Sequence, residues 1–118
     1  QDYKTGALFR AAVGAGAACA HASEEQTNAL LAFATAYGML FQITDDILDF
    51  TGSAKALGKS VGKDAAAGKV TYVTVYGLEG AKARAMAFAA EARQAVLNAG
   101  GDAAFFIELI DYTLTRRA

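Results

Sequence analysis

The stretch SEEQTNALLAFATAYGMLFQITDDILDF, residues 23–50, decides the fold because it repeats apolar residues at helical spacing over most of its length. Ser23 followed three residues later by Gln26 is typical of a capping box at the start of a helix. The apolar stripe consists of Leu30, Phe33, Tyr37, Phe41 and Leu48. The pattern predicts one long helix that ends near Phe50, where Gly52 offers a stop.

The rest of the chain also predicts helices. Its 118 residues contain no proline, are 54% hydrophobic and show no regular alternation of apolar and polar residues, which favours a single all-α domain. Helical periodicity covers residues 3–21 and 78–98. Residues 70–76 are strand-like in composition, but they have no partner strand and we interpret them as the start of another helix.

The last predicted helix spans roughly residues 102–117, after Gly100 and Gly101 end the preceding one. Asp102 is predicted to be its N-cap. The apolar residues predicted to face inward are Phe105, Phe106, Leu109, Ile110 and Leu114.

Charge and hydropathy argue against several functions. Eleven basic and twelve acidic residues give a net charge of -1, which provides no general attraction to nucleic acid or to an anionic membrane. Thr35 and Gly38 interrupt the longest apolar segment, so we expect no membrane insertion. The single cysteine, Cys19, excludes an internal disulfide and is interpreted as a small buried hydrophobe. With no signal-peptide features at the start, these observations favour the cytoplasm.

Three aspartates, Asp45, Asp46 and Asp49, interrupt the apolar end of the long helix. Asp45 and Asp49 lie one helical turn apart, about 6 Å along the axis, and Asp46 lies beside them, so all three can reach one ligand. Gln42 adds an amide to the same edge. Carboxylates are disfavoured near the negative end of a helix, so stability alone does not explain them. Their hard oxygens suit Mg²⁺, which commonly bridges to phosphate; the alternative is a helix end that faces solvent.

The segment after the acidic helix, residues 52–68, loses the apolar period and is predicted to be an ordered surface loop. Four of the six lysines fall within fifteen residues, and they are Lys55, Lys59, Lys63 and Lys69. Glycines precede three of them, so the backbone can approach a ligand while the ammonium groups contact phosphate oxygens. The alternative is a basic loop in solvent. Together, the acidic edge and the lysine loop predict a diphosphate ligand held with Mg²⁺.

In this order, the motifs resemble the C-terminal half of the polyprenyl synthetase family, the trans-isoprenyl diphosphate synthases, and most closely the bacterial farnesyl or geranylgeranyl diphosphate synthase type. The resemblance covers nearly the whole chain. The segments that carry it are Lys4-Thr5-Gly6-Ala7-Leu8, Phe41-Gln42-Ile43 with Asp45-Asp46-Ile47-Leu48-Asp49, Leu57-Gly58-Lys59 with Gly62 and Asp64, Gly68-Lys69 with Thr71-Tyr72, Leu78-Glu79, and Asp111-Tyr112 ahead of Arg116-Arg117.

The resemblance implies a partial isoprenoid-synthase helical bundle around a deep cavity, with residues 1–118 forming the C-terminal part of one polyprenyl synthetase domain. It implies a Mg²⁺-dependent prenyltransferase, in which an allylic diphosphate ionises and isopentenyl diphosphate attacks the carbocation. The family is usually dimeric, so a homodimer is expected.

Roles for individual residues also follow from the resemblance. The residues expected to bind Mg²⁺ are Asp45, Asp46 and Asp49. Those expected to contact the allylic diphosphate are Lys4, Lys59 and Lys69. The expected catalytic set is Lys4, Thr5, Gln42 and Lys59, in which Thr5 and Gln42 steady the developing cation near the allylic C1. Asp64 is expected to order the lysine loop.

The chain also departs from the family pattern. The first aspartate-rich motif has no counterpart, because the remaining aspartates, Asp2, Asp64, Asp102 and Asp111, are single. The residues that hold isopentenyl diphosphate and limit product length belong to the same missing half. Val73 stands where the family often has proline. Since the chain begins with Gln1 in the middle of a helical pattern, we expect a fragment of a longer parent, without turnover of its own.

Three alternatives remain open at this point. A paralogous non-catalytic subunit would lend helices to a partner, although the intact motif residues argue against decay. A terpene cyclase shares the aspartate-rich Mg²⁺ chemistry, but the Lys4-Thr5 pair and the Gly-Lys loop are not its pattern. A helical interaction module would bind neither Mg²⁺ nor diphosphate.

Overall fold

The computed structural model describes residues 2–67, 70–101 and 103–116, and within these ranges the backbone forms helices and no strands. The helices are α1 (Asp2–Cys19), α2 (Glu24–Ala67), α3 (Tyr72–Ala99) and α4 (Ala104–Thr115). The all-α prediction is confirmed, and the strand-like segment 70–76 does lead into a helix. None of the helices in these ranges is long and apolar enough to cross a membrane.

The core lies between α2 and α3. From α2 come the large buried side chains Phe33, Tyr37, Leu40 and Ile43. From α3 come mostly small ones, Ala81, Ala85, Ala89, Ala92 and Val96. The alanines favour a helix and let the α3 backbone approach the larger α2 side chains closely. Each large side chain contributes about 1.5–3 kcal/mol by leaving water, so this face fixes the rotation of α2 and of the aspartates that follow it.

Helices α1 and α2 form an antiparallel hairpin. Arg10 Nη1 donates a hydrogen bond to Thr35 Oγ1 at 2.8 Å, and Gly14 faces the Leu31 side chain. These two pairs share one register. Continued toward the start of α1, that register places backbone position 4 level with position 41 of α2, one residue before Gln42.

Hydrogen-bonded caps define the starts of α2 and α3. The predicted capping box of α2 is confirmed, since the Gln26 N–H donates to Ser23 Oγ and the Ser23 N–H donates to Gln26 Oε1, each at 3.1 Å. Helix α3 begins in the same way, with reciprocal hydrogen bonds between Thr71 and Thr74 at 3.2 and 2.8 Å. It ends where predicted, at Gly100, whose φ of 79° lies in the left-handed region.

Helix α3 is kinked near its start. Gly77 has φ 76° and ψ 166°, a backbone conformation that is essentially restricted to glycine. The kink separates a short segment, residues 72–76, from the alanine-rich remainder of the helix. That short segment contains Tyr72, whose backbone N–H meets Asp46 of α2.

The prediction that α2 ends near Phe50 is wrong. The helix continues to Ala67, so the segment predicted to be a loop is helical up to that residue. Alanine, leucine and lysine in this segment favour a helix, no proline interrupts it, and each glycine costs only about 1 kcal/mol relative to alanine. Thr51 also bonds within the helix, donating to the Ile47 carbonyl at 3.0 Å. The three aspartates therefore lie in the middle of α2, and the argument from the negative end of the helix does not apply.

Helix α4 packs on both α2 and α3. The predicted inward face is largely confirmed, with Ile110 fully buried and Phe106, Leu109 and Leu114 packed against the core. Phe105 is 66% exposed, so its predicted inward position is wrong. Successive helical residues differ by about 100° around the axis, and the buried face is already taken by Phe106 and Ile110.

Two contacts fix α4 against α2. The Tyr37 hydroxyl and Thr113 Oγ1 form a buried hydrogen bond at 2.7 Å, and the Phe33 and Phe106 rings meet edge to face at 5.2 Å. The N-cap of α4 is Ala103, which makes no side-chain cap hydrogen bond; Asp102, the predicted cap, lies outside the described residues. The end of α4 is thus held over the acidic part of α2.

Candidate functional site

Asp46 joins α2 to the start of α3. Its Oδ2 accepts a hydrogen bond from the backbone N–H of Tyr72 at 3.0 Å, and its Oδ1 accepts one from Gln42 Nε2 at 3.1 Å. Tyr72 is the first residue of α3, where backbone N–H groups lack partners within the helix and the helix dipole is positive. The Asp46 carboxylate therefore caps α3, and both of its oxygens are already engaged within the chain.

A cleft with a volume of about 300 Å³ opens beside this junction. Its polar edge is formed by Gln42, Asp46 and Thr71, and its other lining residues include Tyr72 and Tyr76. The two tyrosine rings stack with their centroids 6.2 Å apart. The volume is at the lower end of small-molecule sites, and the combination of a polar edge and an aromatic wall suits a ligand with one polar and one apolar end.

Asp45 faces a different neighbour from Asp46. Its Oδ1 lies 2.8 Å from Nη2 of Arg116, the residue that follows α4. The same nitrogen lies 2.9 Å from Thr44 Oγ1 and 3.3 Å from the Phe41 carbonyl oxygen. Consecutive aspartates are thus directed to two elements, Asp46 to the start of α3 and Asp45 to the residue after α4.

The carboxylates can be compared with what Mg²⁺ requires. Within the described part of the chain, no group of three His, Cys, Asp or Glu side chains is gathered as a ready metal site. Mg²⁺ does not need one, since it usually keeps several waters and binds one or two carboxylates together with substrate phosphates. Asp45 is half-exposed and Asp49, one turn further along α2, is exposed. Asp45 and Asp49 therefore leave carboxylate surface accessible to a hydrated cation, whereas both oxygens of Asp46 accept hydrogen bonds within the chain.

Several predicted site residues are placed only in part. Lys4 and Thr5 lie on α1, and Lys59 and Asp64 on the C-terminal part of α2, but their side chains lie outside the described residues, as does the side chain of Cys19. Lys69 lies outside altogether. By the α1–α2 register, Lys4 and Thr5 are level with the residues just before Gln42. Lys59 is fourteen residues beyond Asp45, which is about 21 Å along a continuous helix.

Sequence reasoning missed two parts of this arrangement. It assigned no role to Arg116, although Arg116-Arg117 after an amphipathic helix is a concentration of charge that marks the position. It also missed that the Asp46 carboxylate would accept a hydrogen bond from the start of α3. Thr71, with Thr74 three residues later, is a recognisable N-cap pattern that marks where α3 begins but not which carboxylate meets it.

Comparison with known proteins settles the family. The model of the family described as polyprenyl synthetase matches residues 1–100. The chain belongs to the polyprenyl synthetase family. The motif residues Gln42 to Asp49, the α3 start and the cleft all lie within the matched range, whereas Arg116 lies beyond it.

Similar members of the family come from distant organisms. The chain is 40% identical over 116 residues to "Geranylgeranyl pyrophosphate synthase 10, mitochondrial" of Arabidopsis thaliana, an alignment that covers 98% of this chain and 34% of that protein. It is 39% identical over 114 residues to "Geranylgeranyl diphosphate synthase" of Cyanophora paradoxa, covering 97% and 38%. It is 47% identical over 76 residues to "Short chain isoprenyl diphosphate synthase" of Methanocaldococcus jannaschii, covering 64% and 23%. The chain therefore spans about a third of the length of the first two relatives.

Proposed function

We propose that this chain is the part of a prenyl diphosphate synthase that carries the second aspartate-rich motif and binds an allylic diphosphate together with Mg²⁺. The observation that supports this most is the fixed geometry of the motif. Its residues lie in the middle of α2, where Gln42 and Asp46 border the cleft and Asp45, the preceding residue, keeps a half-exposed carboxylate that contacts Arg116 rather than lining the cleft. Three aspartates facing solvent at a frayed helix end would support an interaction module instead.

The proposed reaction of the parent is the condensation of an allylic diphosphate with isopentenyl diphosphate to a longer trans-prenyl diphosphate in isoprenoid biosynthesis. The bond between the allylic C1 and oxygen breaks with both electrons leaving on the diphosphate, isopentenyl diphosphate forms the new carbon–carbon bond, and a proton is lost. When bound, Mg²⁺ offsets the negative charge that grows on the departing diphosphate. The relatives named as geranylgeranyl diphosphate synthases support this choice of reaction.

The chain's own residues divide the work. Asp45, through the oxygen that Arg116 does not contact, and Asp49, through its exposed carboxylate, would hold the cation. Asp46 holds the start of α3 in place, so that the cleft keeps its shape, and Gln42 presents its amide beside the reacting carbon. Lys4 lies level with the start of the motif in the α1–α2 register. It is therefore the lysine that we assign to the diphosphate without any rearrangement of the helices.

Lys59 and Lys69 are assigned to the ligand-bound state together with Asp64. A separation of about 21 Å along a continuous helix is too long for Lys59 and Asp45 to share one diphosphate. The assignment therefore requires the segment after Gly52 to leave its helix and fold back on binding. Far-ultraviolet circular dichroism should show a loss of helix when Mg²⁺ and dimethylallyl S-thiolodiphosphate, an allylic diphosphate analogue that ionises poorly, are added together. An unchanged helix content would remove Lys59, Lys69 and Asp64 from the site.

A thermal-shift experiment tests the metal and diphosphate site. The chain is heated with Mg²⁺, with the analogue, and with both, and we expect the analogue to add stability only when Mg²⁺ is present, because a ligand stabilises the folded state only under conditions in which it binds. Asp45→Asn should abolish the effect. Asp111→Asn is the matched control, since Asp111 also pairs with an arginine, Arg93, at 2.8 Å but lies on α4 away from the motif. Equal stabilisation of all three proteins, or of none, would remove the proposed site.

Three further expectations belong to this proposal. The chain alone should show no turnover, because its sequence contains only one of the two aspartate-rich motifs. It should form a homodimer, since large side chains such as Met86, Leu97 and Tyr112 are more than half exposed. We also propose the cytoplasm, on the strength of the single cysteine. Light scattering on the purified chain tests the dimer, and isopentenyl diphosphate incorporation tests the turnover.

A further inference from the structure

The arginine after α4 is built into the acidic motif rather than resting on its surface. The Arg116 side chain is only 12% exposed, while that of its partner Asp45 is 44% exposed. Its guanidinium carbon lies 4.5 Å from the centre of the Phe41 ring, and Nη2 contacts Thr44 Oγ1 in addition to Asp45 Oδ1. A neighbouring ring, a hydroxyl and a carboxylate thus enclose one cation.

The enclosure distinguishes this pair from an ordinary surface ion pair. Arg93 and Asp111 also approach to 2.8 Å, but their side chains are 39% and 58% exposed. Arg116 is aimed at Asp45 by the end of α4, which the buried Tyr37–Thr113 hydrogen bond fixes on α2. A guanidinium that lies over an aromatic ring and is hydrogen-bonded to a carboxylate is restricted in the geometries it can adopt.

The enclosure is also incomplete. Nε of Arg116 is buried and has no hydrogen-bond partner within the described part of the chain. A buried donor without a partner raises the free energy of the arrangement, so the guanidinium is held less firmly than its burial suggests. An arrangement of this kind can be given up when a stronger ligand arrives for the carboxylate.

The carboxylate that Arg116 contacts is the one assigned above to Mg²⁺. A guanidinium and a divalent cation on the same carboxylate repel each other, and both cannot keep their full interaction with it. We propose that Arg116 is the internal counter-ion of Asp45 and that Mg²⁺ displaces it, so that occupation of the motif releases the Arg116 side chain. This inference rests on the proposed function, because it takes Asp45 to be a metal ligand.

The exchange of Arg116 for Mg²⁺ on Asp45 predicts the direction in which the Mg²⁺ affinity changes when Arg116 is replaced. Without metal, Arg116 offsets the repulsion between Asp45 and its neighbouring aspartates. With metal, it opposes binding. Removing its charge should therefore tighten the binding of Mg²⁺ alone, by about tenfold at low ionic strength for a single and a double charge a few ångströms apart in a largely aqueous site.

The first experiment titrates the full chain with MgCl₂ alone by calorimetry, using wild type, Arg116→Gln and Arg93→Gln. The last variant is the matched control, since it removes the same charge from the other arginine–aspartate pair. Tighter binding in Arg116→Gln only is the expected result. Equal or weaker binding in that variant, equal tightening in Arg93→Gln, or no Mg²⁺ binding in any of them would overturn the exchange. The thermal-shift experiment with metal and diphosphate analogue decides the proposed function separately.

A second measurement does not depend on whether Arg116→Gln folds. The Nε–H group of Arg116 is buried, so its proton should exchange slowly and give a ¹⁵N–¹H signal, identified by its absence from Arg116→Lys. Saturating Mg²⁺ should expose this group and remove or shift the signal. A signal that stays unchanged while Mg²⁺ binds would show that the arginine is a fixed neighbour of Asp45 and would overturn the exchange.

Discussion

Replacing Asp46 by alanine should destabilise the chain even when no metal is present. The change removes two hydrogen bonds to a carboxylate, one from the Tyr72 N–H and one from Gln42. Hydrogen bonds to charged groups contribute roughly 1.5–3 kcal/mol each, and an acidic group at a helix start adds about 0.5 kcal/mol. Because Asp46 is only half-buried, water replaces much of this in the variant. We therefore expect a loss of about 2 kcal/mol in the free energy of unfolding.

Thermal unfolding in EDTA, followed by circular dichroism, measures this loss. For a chain of this size a loss of about 2 kcal/mol lowers the melting temperature by roughly 8 °C. Asp49→Ala is the matched control, because Asp49 belongs to the same motif and the same helix but is exposed, and it should change stability by less than about 0.5 kcal/mol. Equal melting temperatures for the two variants would refute the conclusion that Asp46 joins α2 to α3.

Three further predictions concern stability. Gly77→Ala should lower the free energy of unfolding by about 2 kcal/mol, because the backbone conformation of residue 77 is disfavoured for alanine. Gly52→Ala should raise the free energy of unfolding by about 1 kcal/mol, because residue 52 is helical and has open space around it. Urea unfolding of the two variants checks the opposite signs. Thr113→Val should cost about 1–3 kcal/mol because it takes the hydroxyl away from Tyr37 in a buried place, as chemical denaturation would report, and an unchanged midpoint would argue against that contact. Ser23→Ala should cost about 1 kcal/mol by removing the α2 cap, and faster amide hydrogen exchange confined to the first turn would locate the loss.

Local signals in the sequence were enough for the helix starts and for most of the buried faces. Ser23 with Gln26, and Gly100 after the alanine-rich segment, each act within a few residues of the boundary that they set. The apolar stripe of α2 similarly placed Phe33 and Tyr37 in the core. These features depend on spacing along one helix, which can be counted from the sequence.

The end of α2 was predicted wrongly because two local signals conflicted. Glycines beyond Phe50 suggested a loop, while the alanines, leucine and lysines around them favoured a helix. Propensities of this size differ by less than about 1 kcal/mol per residue, so their sum decides the outcome rather than any single glycine. The helix formers outweigh the glycines in the summed propensity, and the helix continues to Ala67.

The separate partners of the two consecutive aspartates depend on packing between distant segments. Asp46 meets Tyr72, 26 residues away, and Asp45 meets Arg116, 71 residues away. Spacing on α2 indicates that the carboxylates share an edge, but it does not say which helix arrives at that edge. The motif's identity was therefore accessible from the sequence, whereas the different partners of Asp45 and Asp46 required the fold.

The most direct test of the central proposal is a calorimetric titration of dimethylallyl S-thiolodiphosphate into the chain, with Mg²⁺ and then with EDTA, for wild type and Asp45→Asn. We predict saturable binding by the wild type in Mg²⁺ only, and none by Asp45→Asn, because the diphosphate is held through a cation on that carboxylate. Binding that is the same in EDTA, or the same in Asp45→Asn, would contradict a metal-bridged allylic diphosphate site on α2.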